Sequence, residues 1–176
     1  LITYMRTDSL RISDDAINSA TDYIKATWGE KYLPAKKRVF KTKANAQDGH
    51  EAIRPTMPNL SPASVKGSLT SDQFKLYKLI WERFIASQMA DCLLNTTRIE
   101  IAANDYLFKS SGFTVSFDGF TVLYQEGKDE EEEKAKELPN LEKGTALNLK
   151  ELLDSQHFTQ PPARYTEASL IKALEE

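Results

Sequence analysis

The stretch that decides the fold is Thr70-Ser71-Asp72-Gln73-Phe74-Lys75-Leu76-Tyr77-Lys78-Leu79-Ile80-Trp81-Glu82-Arg83-Phe84-Ile85, which runs on toward Met89. Thr70 and Gln73 have the spacing of a capping box, which marks the first turn of a helix. Apolar side chains then recur at helical spacing, at Phe74, Tyr77, Ile80, Trp81, Phe84 and Ile85. A helix with one broad apolar face is typical of a packed domain. We therefore interpret this aromatic stripe as hydrophobic core and not as a cofactor pocket.

A second helix is expected upstream, with Ser13 as its N-cap and Gly29 at its end. Asp14 and Asp15 follow Ser13, and the dipole of a helix favours acidic residues in its first turn. Between residues 31 and 60 the prolines predict mostly loop. One short helical turn is expected within that loop, from Asp48 to Ile53.

Beyond Leu94 the helical period gives way to alternation. Thr97, Ile99 and Ile101 alternate with charged residues, as in a half-buried strand. Glycine-containing breaks then separate four further expected strands, at 106–109, 113–116, 120–124 and 145–153. Short strands that follow one another along the chain favour an antiparallel sheet. The acidic segment 126–142 is expected to be a mobile excursion from it.

These patterns predict an α+β fold with three parts. A mostly helical domain covers 1–90, an antiparallel β-rich domain covers 91–165, and the first helix of a further domain covers 166–176. Leu170, Ile171 and Leu174 share one face of that last helix. Little chain remains to cover this face, so we expect it to pack on a domain outside this sequence. Exposed strand edges and this face both favour self-association.

Composition excludes several classes of protein. The 176 residues contain one cysteine, Cys92, which excludes an internal disulfide framework and a cysteine-rich zinc site and fits a reducing cytoplasm. No apolar run reaches the roughly 18 residues that a membrane-spanning helix needs. The net charge is -3, but Lys36, Lys37 and Arg38 begin a basic cluster that continues to Lys43. The cluster suits either a phosphate backbone or an ordinary solvated loop.

The candidate chemistry lies at the other end of the helical domain, in Leu1-Ile2-Thr3-Tyr4-Met5-Arg6-Thr7-Asp8-Ser9. In an extended segment, Tyr4 and Arg6 point to the same face. A guanidinium beside a phenol favours the phenolate and binds a phosphate oxygen, and attack on a phosphodiester needs both effects. The alternative is that Tyr4 packs against a core while Arg6 lies on the surface.

Three stretches resemble, in the same order, motifs of the type IA DNA topoisomerases. They are Leu1 to Ser9, Gln47-Asp48-Gly49-His50-Glu51-Ala52-Ile53-Arg54-Pro55-Thr56, and His157-Phe158-Thr159-Gln160-Pro161-Pro162-Ala163-Arg164-Tyr165-Thr166-Glu167-Ala168-Ser169-Leu170. Met5 stands where the topoisomerase III branch typically has proline, so the chain looks most like the bacterial topoisomerase I branch. The resemblance runs nearly end to end and suggests an interior fragment of a toroidal multidomain enzyme.

The resemblance implies a reaction and roles for residues. Tyr4 would attack one DNA strand and hold its 5' phosphate as a phosphotyrosine, with Arg6 as electrostatic support. A strand would pass through the break before religation, relaxing negative supercoils without ATP. His50, Glu51 and Arg54 would support the site or bind DNA, as would Thr7, Ser9 and the basic residues Lys36, Lys37 and Arg38. On the residues alone, His50 could equally be a structural hydrogen-bonding group, and Arg54 could equally hold its loop.

The same resemblance implies partners and a missing part. Type IA enzymes bind Mg²⁺ in an acidic toprim domain, and no residues here resemble its motif, so we expect no metal site in this chain and no activity from it alone. Expected partners are single-stranded and negatively supercoiled DNA and the remaining domains of the same polypeptide, in the cytoplasm at the bacterial nucleoid. The alternatives are a non-catalytic single-stranded DNA-binding module, or a topoisomerase III or reverse gyrase origin.

Overall fold

The computed structural model describes residues 1–40, 49–125 and 138–175, which form two compact units, Leu1–Pro139 and Asn140–Glu176. The first unit contains helices α1 (Asp14–Trp28), α2 (Pro62–Val65) and α3 (Ser71–Ser87) and strands β1 (Leu93–Ala103) and β2 (Tyr106–Phe117). Short 3-10 turns lie at Glu30–Tyr32, Lys66–Ser68 and Gly119–Val122. The second unit contains helix α4 (Glu167–Glu175). The expected α+β class is confirmed.

Helix α3 carries the core of the first unit, as its sequence predicts. Thr70 and Gln73 form the capping box at its start. The buried side chains of α3 and of the residues just after it pack with Ala20 and Ile24 of α1; they are Tyr77, Trp81, Phe84, Ile85 and Met89. Burying a large side chain of this kind stabilises a domain by about 1.5–3 kcal/mol. The aromatic stripe is therefore core, and its interpretation is confirmed.

The polar atoms of the two core aromatics are used to hold the preceding loop. Trp81 Nε1 donates to the carbonyl oxygen of Pro58 at 2.9 Å, and Tyr77 Oη donates to that of Leu60 at 2.6 Å. Burial raises the pKa of Tyr77, since the charged phenolate would lose its hydration. Buried donors that lack a partner cost free energy. These bonds therefore fix the loop to the helix.

Strands β1 and β2 form a single antiparallel hairpin, in a two-stranded sheet. Ala103 pairs with Tyr106 across the turn at Asn104-Asp105, and Asn104 has a left-handed φ of 52°. The prediction of separate strands at 106–109 and 113–116 is wrong, because Gly112 continues the ladder opposite Thr97 instead of ending it. Glycine can occupy an interior strand position at some cost in stability.

The strand expected at 120–124 is also wrong. The segment instead forms the 3-10 turn Gly119–Val122, and Phe120 and Leu123 pack against the helical core. Gly119 makes this possible, because its φ is +50° and a Cβ at this position would collide with the carbonyl groups of Ala90 and Asp91. The chain leaving β2 is therefore fixed to the end of α3 and does not add a strand to the sheet.

Two further expectations fail, and both concern isolated segments. Residues 145–153 form no strand, because no partner strand lies beside them among the described residues. Residues 49–53 form no helical turn, and Asp48 lies outside the described residues. Most of the acidic segment, residues 126–137, also lies outside them. The three-domain division at 90/91 and 165/166 stays a prediction.

At the last helix, the amide of Ser169 donates to Thr166 Oγ1 at 3.2 Å, so Thr166 caps the first turn. Leu170, Ile171 and Leu174 are exposed within the second unit. Over the described ranges, no helix combines the length and the apolar character needed to span a bilayer.

We expect Gly119→Ala to lower the free energy of unfolding by roughly 2–4 kcal/mol, because backbone atoms cannot yield to a new methyl group and φ is left-handed. The added Cβ would lie 2.4 Å from the Asp91 carbonyl oxygen. Gly67→Ala is the matched control, since a Cβ there meets nothing within 4 Å. Urea denaturation of the three proteins measures the difference. Equal midpoints for both variants would show that the Gly119 contact is not rigid.

Candidate active site

The tyrosine-bearing segment is held to the second motif by backbone pairing. Thr3 N donates to the carbonyl oxygen of Arg54 and Thr56 N to that of Leu1, each at 2.9 Å, around an antiparallel bridge between Ile2 and Pro55. The hydroxyl of Thr3 adds a bond of 2.7 Å to the Ala52 carbonyl. Two sequence motifs about fifty positions apart therefore form one structural unit.

A second set of bonds fixes the chain beyond Arg6. Ser9 is buried, and its Oγ donates to the His50 carbonyl at 2.8 Å and accepts from Arg11 N at 3.2 Å. The amide of Ala52 donates to the Arg11 carbonyl at 2.8 Å. The structure thus uses the hydroxyl of Ser9 to join the two motifs. Residues 4 to 8 span the distance between the two sets of bonds.

Tyr4 and Arg6 project from this span into an open cleft of about 490 Å³. Tyr4 is 79% exposed, which excludes the alternative that it packs in a core within the described structure. The guanidinium carbon of Arg6 lies 5.1 Å from the centroid of the Tyr4 ring. A cation over a phenol ring at this distance is an attractive contact. The cleft is also lined by Arg11, Gly49, His50 and Glu51.

His50 forms a hydrogen-bonded pair with Asp8 at one side of the cleft. His50 Nδ1 lies 2.7 Å from Asp8 Oδ2, and the His50 side chain is 17% exposed. An ionised carboxylate can only accept, so Nδ1 is the donor and Nε2 is left for another partner. A carboxylate that fixes one ring nitrogen in this way orients the imidazole.

Glu51 and Arg54 hold the loop itself. Arg54 Nη2 lies 2.8 Å from Glu51 Oε2, and Nη1 donates to the Pro55 carbonyl at 3.1 Å. The Arg54 side chain is only 12% exposed. Nη2 also reaches Ser13 Oγ at 3.5 Å, at the start of α1. Of the two roles that the sequence left open for Arg54, these contacts favour the structural one.

Two of the three described residues of the basic cluster are paired with acidic side chains. Lys37 binds Asp14, and its hydrogen bond and charge hold the pKa of that carboxyl below the usual value. Arg38 binds Asp91 at 2.6 Å. Lys36 is exposed, and Lys41 and Lys43 lie outside the described residues. Lys36, Lys37 and Arg38 do not line the cleft at Tyr4, and Thr7 lines an apolar groove beside α3.

The residues of the cleft do not fit a site for Mg²⁺. This ion prefers carboxylate oxygens and water in octahedral geometry. Glu51 is bound to Arg54, and Asp8 is bound to His50. In the ranges that the structure describes, no three histidine, cysteine or acidic side chains come together as a metal site.

Arg11 is the cleft residue that the sequence analysis missed. Its side chain is exposed, and its Nε lies 3.4 Å from the His50 carbonyl oxygen. A second arginine five positions after Arg6, just before a helix, was the available signal. Nothing in its spacing distinguishes such a residue from an ordinary surface cation.

Replacement of Arg54 tests its structural role. We expect Arg54→Met to destabilise the protein by roughly 2–4 kcal/mol, because Glu51 would lose a partly buried partner. Lys75→Met removes an exposed pair with Asp72, whose two side chains are 74% and 95% exposed. That control should change stability by less than about 0.5 kcal/mol. Thermal unfolding provides the comparison, and equal effects would contradict the structural role.

Comparison with known proteins relates this arrangement to a family. The family model described as DNA topoisomerase matches residues 1–176. The structure of full-length topoisomerase I from Thermotoga maritima is similar, with a TM-score of 0.72 and 33% sequence identity. The match covers 99% of this chain and 27% of the Thermotoga chain, so the chain spans about a quarter of that protein's length. The chain belongs to the DNA topoisomerase family, in its type IA class.

Proposed function

We propose that this chain carries the DNA-cleaving tyrosine of a type IA topoisomerase, with Tyr4 as the nucleophile. The observation that carries the proposal is the exposed Tyr4 phenol beneath the Arg6 guanidinium, 5.1 Å from ring centroid to guanidinium carbon. Attack forms a bond between the phenol oxygen and phosphorus and breaks the bond from phosphorus to the 3' oxygen. The phenol gives up one proton and the leaving 3' hydroxyl takes one up, so the step is balanced.

Arg6 acts as the electrostatic support for this step. Among the described residues, no carboxylate lies within ion-pair distance of Arg6, so its charge is available to a phosphate. A guanidinium can bind two phosphate oxygens at once, and their charge increases as the phenolate adds. The cation also favours the phenolate form over the phenol.

His50 is proposed to bind a phosphate oxygen or to move a proton through Nε2. The bond from Nδ1 to Asp8, at 2.7 Å, supports this role because it fixes the plane of the ring. Asp8 is then a positioning residue, which acts on the reaction only through His50. Glu51 and Arg54 contribute by holding the loop that carries His50.

The covalent adduct conserves the energy of the phosphodiester, so religation needs no ATP. Passage of a strand before religation relaxes negative supercoils, in a toroidal polypeptide of which this chain supplies one part. We propose that Mg²⁺ is bound by a toprim domain of that polypeptide, so the chain alone does not relax DNA. The substrate is single-stranded and negatively supercoiled DNA in the cytoplasm, at the nucleoid.

Within the family we propose the topoisomerase I branch, on the evidence of Met5 and of the Thermotoga neighbour. Topoisomerase III and reverse gyrase are the alternatives within the same chemistry. A non-catalytic DNA-binding module using the basic cluster has less support, because Lys37 and Arg38 are bound to Asp14 and Asp91.

In the complete enzyme, we expect Tyr4→Phe to abolish the covalent adduct while leaving noncovalent DNA binding nearly intact, because only the nucleophilic oxygen is lost. Arg6→Lys should slow cleavage by roughly a hundredfold, since a point charge does not reproduce a bidentate guanidinium. Tyr106→Phe is the matched control, at a tyrosine that is 73% exposed on the hairpin. Trapping of labelled oligonucleotide after denaturation measures the adduct. A phosphotyrosine peptide mapped to any other tyrosine would overturn the assignment.

We also propose that two copies of this chain pair through the outer edge of β1. Among the described residues, the sheet has only two strands. Ala103 and Tyr106 pair across a two-residue turn. The N–H and C=O groups of the odd-numbered residues of β1 therefore face β2, and those of the even-numbered residues face away from it. A two-fold axis at Ile99 then sets Arg98 of one copy opposite Glu100 of the other. An axis at Arg98 would instead set two arginines opposite one another, and an axis at Glu100 would set two glutamates opposite one another.

Charge reversal on this edge tests the pairing. We expect the chain to show concentration-dependent dimers by light scattering, and Arg98→Glu to weaken them because two carboxylates then face each other. The double variant Arg98→Glu, Glu100→Arg restores opposite charges and should restore the dimer. A strictly monomeric chain at all concentrations, or a double variant as weak as the single one, would contradict this register.

A further inference from the structure

We infer that Arg11 binds the DNA phosphate next to the one that Tyr4 attacks, and so forms a second phosphate subsite in the same cleft. The inference rests on the proposed function and extends it to a residue that neither the sequence motifs nor the resemblance assigned. Arg11, Arg6 and Tyr4 all line the open cleft of about 490 Å³.

The charge in the cleft points to more than one phosphate. Glu51 is the acidic residue lining it, and its carboxylate is bound to Arg54 from outside the lining. Asp8 lies against His50. No described carboxylate lies within ion-pair distance of Arg6 or of Arg11. Among the described residues, the two guanidinium charges therefore share one cleft without an ion pair to either of them, which favours anions there.

Arg11 is also fixed at its base in a way that suits a binding residue. Its amide donates to Ser9 Oγ at 3.2 Å and its carbonyl accepts from Ala52 N at 2.8 Å. Its Nε makes a long contact of 3.4 Å to the His50 carbonyl oxygen. The two terminal nitrogens carry the remaining donors of the fork and suit a phosphate. Ordering the side chain on binding then costs less entropy than for a freely rotating arginine.

Arg6 and Arg11 differ in their relation to Tyr4. Arg6 lies over the ring of Tyr4, which suits the phosphate that the phenol attacks. Arg11 contacts the His50 carbonyl and shares the cleft without an observed contact to the Tyr4 ring. Because consecutive phosphates of a strand are separated by a sugar, a strand with one phosphate at Arg6 brings its neighbour to another part of the cleft. Arg11 is the cation there, and it sets the position of the strand on Tyr4.

The test measures binding of a single-stranded oligonucleotide to the complete enzyme in a Tyr4→Phe background, which prevents cleavage. We expect Arg11→Gln to weaken binding on the order of tenfold at low salt. The slope of log K against log salt should fall by about 0.7, the value for one phosphate contact on a single strand. Arg11→Lys keeps a positive charge and should keep the slope. Lys75→Gln, at an exposed cation of α3, is the matched control.

Neutral methylphosphonates, placed one at a time along the oligonucleotide, identify the phosphate. We expect one position beside the cleavage site to matter in the parent and to lose its effect in Arg11→Gln, while the scissile position keeps its effect. An unchanged profile and slope in Arg11→Gln would overturn the subsite. Absence of a Tyr4 adduct in the unmodified enzyme would overturn the proposed function instead, since this binding cycle does not depend on cleavage.

Discussion

The backbone pairing of residues 1–3 with residues 54–56 is the interaction on which the candidate site depends. It joins two segments about fifty positions apart in the sequence, and closing a span of that length costs entropy. Everything in the cleft follows from this register. Tyr4 and Arg6 project beyond one end of it, His50 is brought to Asp8, and Arg54 turns back toward Glu51.

The loop is fixed again downstream, where Trp81 and Tyr77 of the core helix bind the carbonyls of Pro58 and Leu60. The packing of α3 and the geometry at Tyr4 are in this way parts of one arrangement.

The longer helices α1, α3 and α4 could be predicted from the sequence because their determinants are local, whereas α2, a helix of four residues, was not predicted. Thr70 and Gln73 cap α3 within one turn. The spacing of its aromatic residues indicates which face of the helix is buried. The strands were harder, because a strand is defined by its partner. Glycine is a residue type typical of turns, yet Gly112 pairs with Thr97 and continues strand β2. Phenylalanine is a residue type favoured in strands, yet Phe120 packs against the helical core. Residues 145–153 alternate correctly and still form no strand, since alternation supplies no hydrogen-bond partner.

For the site, the residue pattern alone gave a weak signal and the family resemblance a strong one. A tyrosine two positions from an arginine is compatible with core and surface roles, and only the exposure of Tyr4 decides between them within this structure. The hydrogen bond between Ser9 and His50 could not be predicted from their spacing along the chain. The same holds for Asp8, which the sequence analysis did not select, and for Arg11. Contacts across about forty positions depend on the fold that brings them together.

Three of the bonds that unite the two motifs join backbone atoms alone. Thr3 N, Arg54 O, Thr56 N, Leu1 O, Ala52 N and Arg11 O are present whatever side chain each position carries. Such a frame tolerates substitution at many of its own positions, because a change of side chain leaves the amides and carbonyls in register. Proline at Thr3, Ala52 or Thr56 is the exception, since it removes the donor. Sequence drift can therefore alter the side chains that surround Tyr4, while the position of Tyr4 itself is preserved. Because backbone bonds fix the position of this segment, the side chains that project from it can vary from one relative to another.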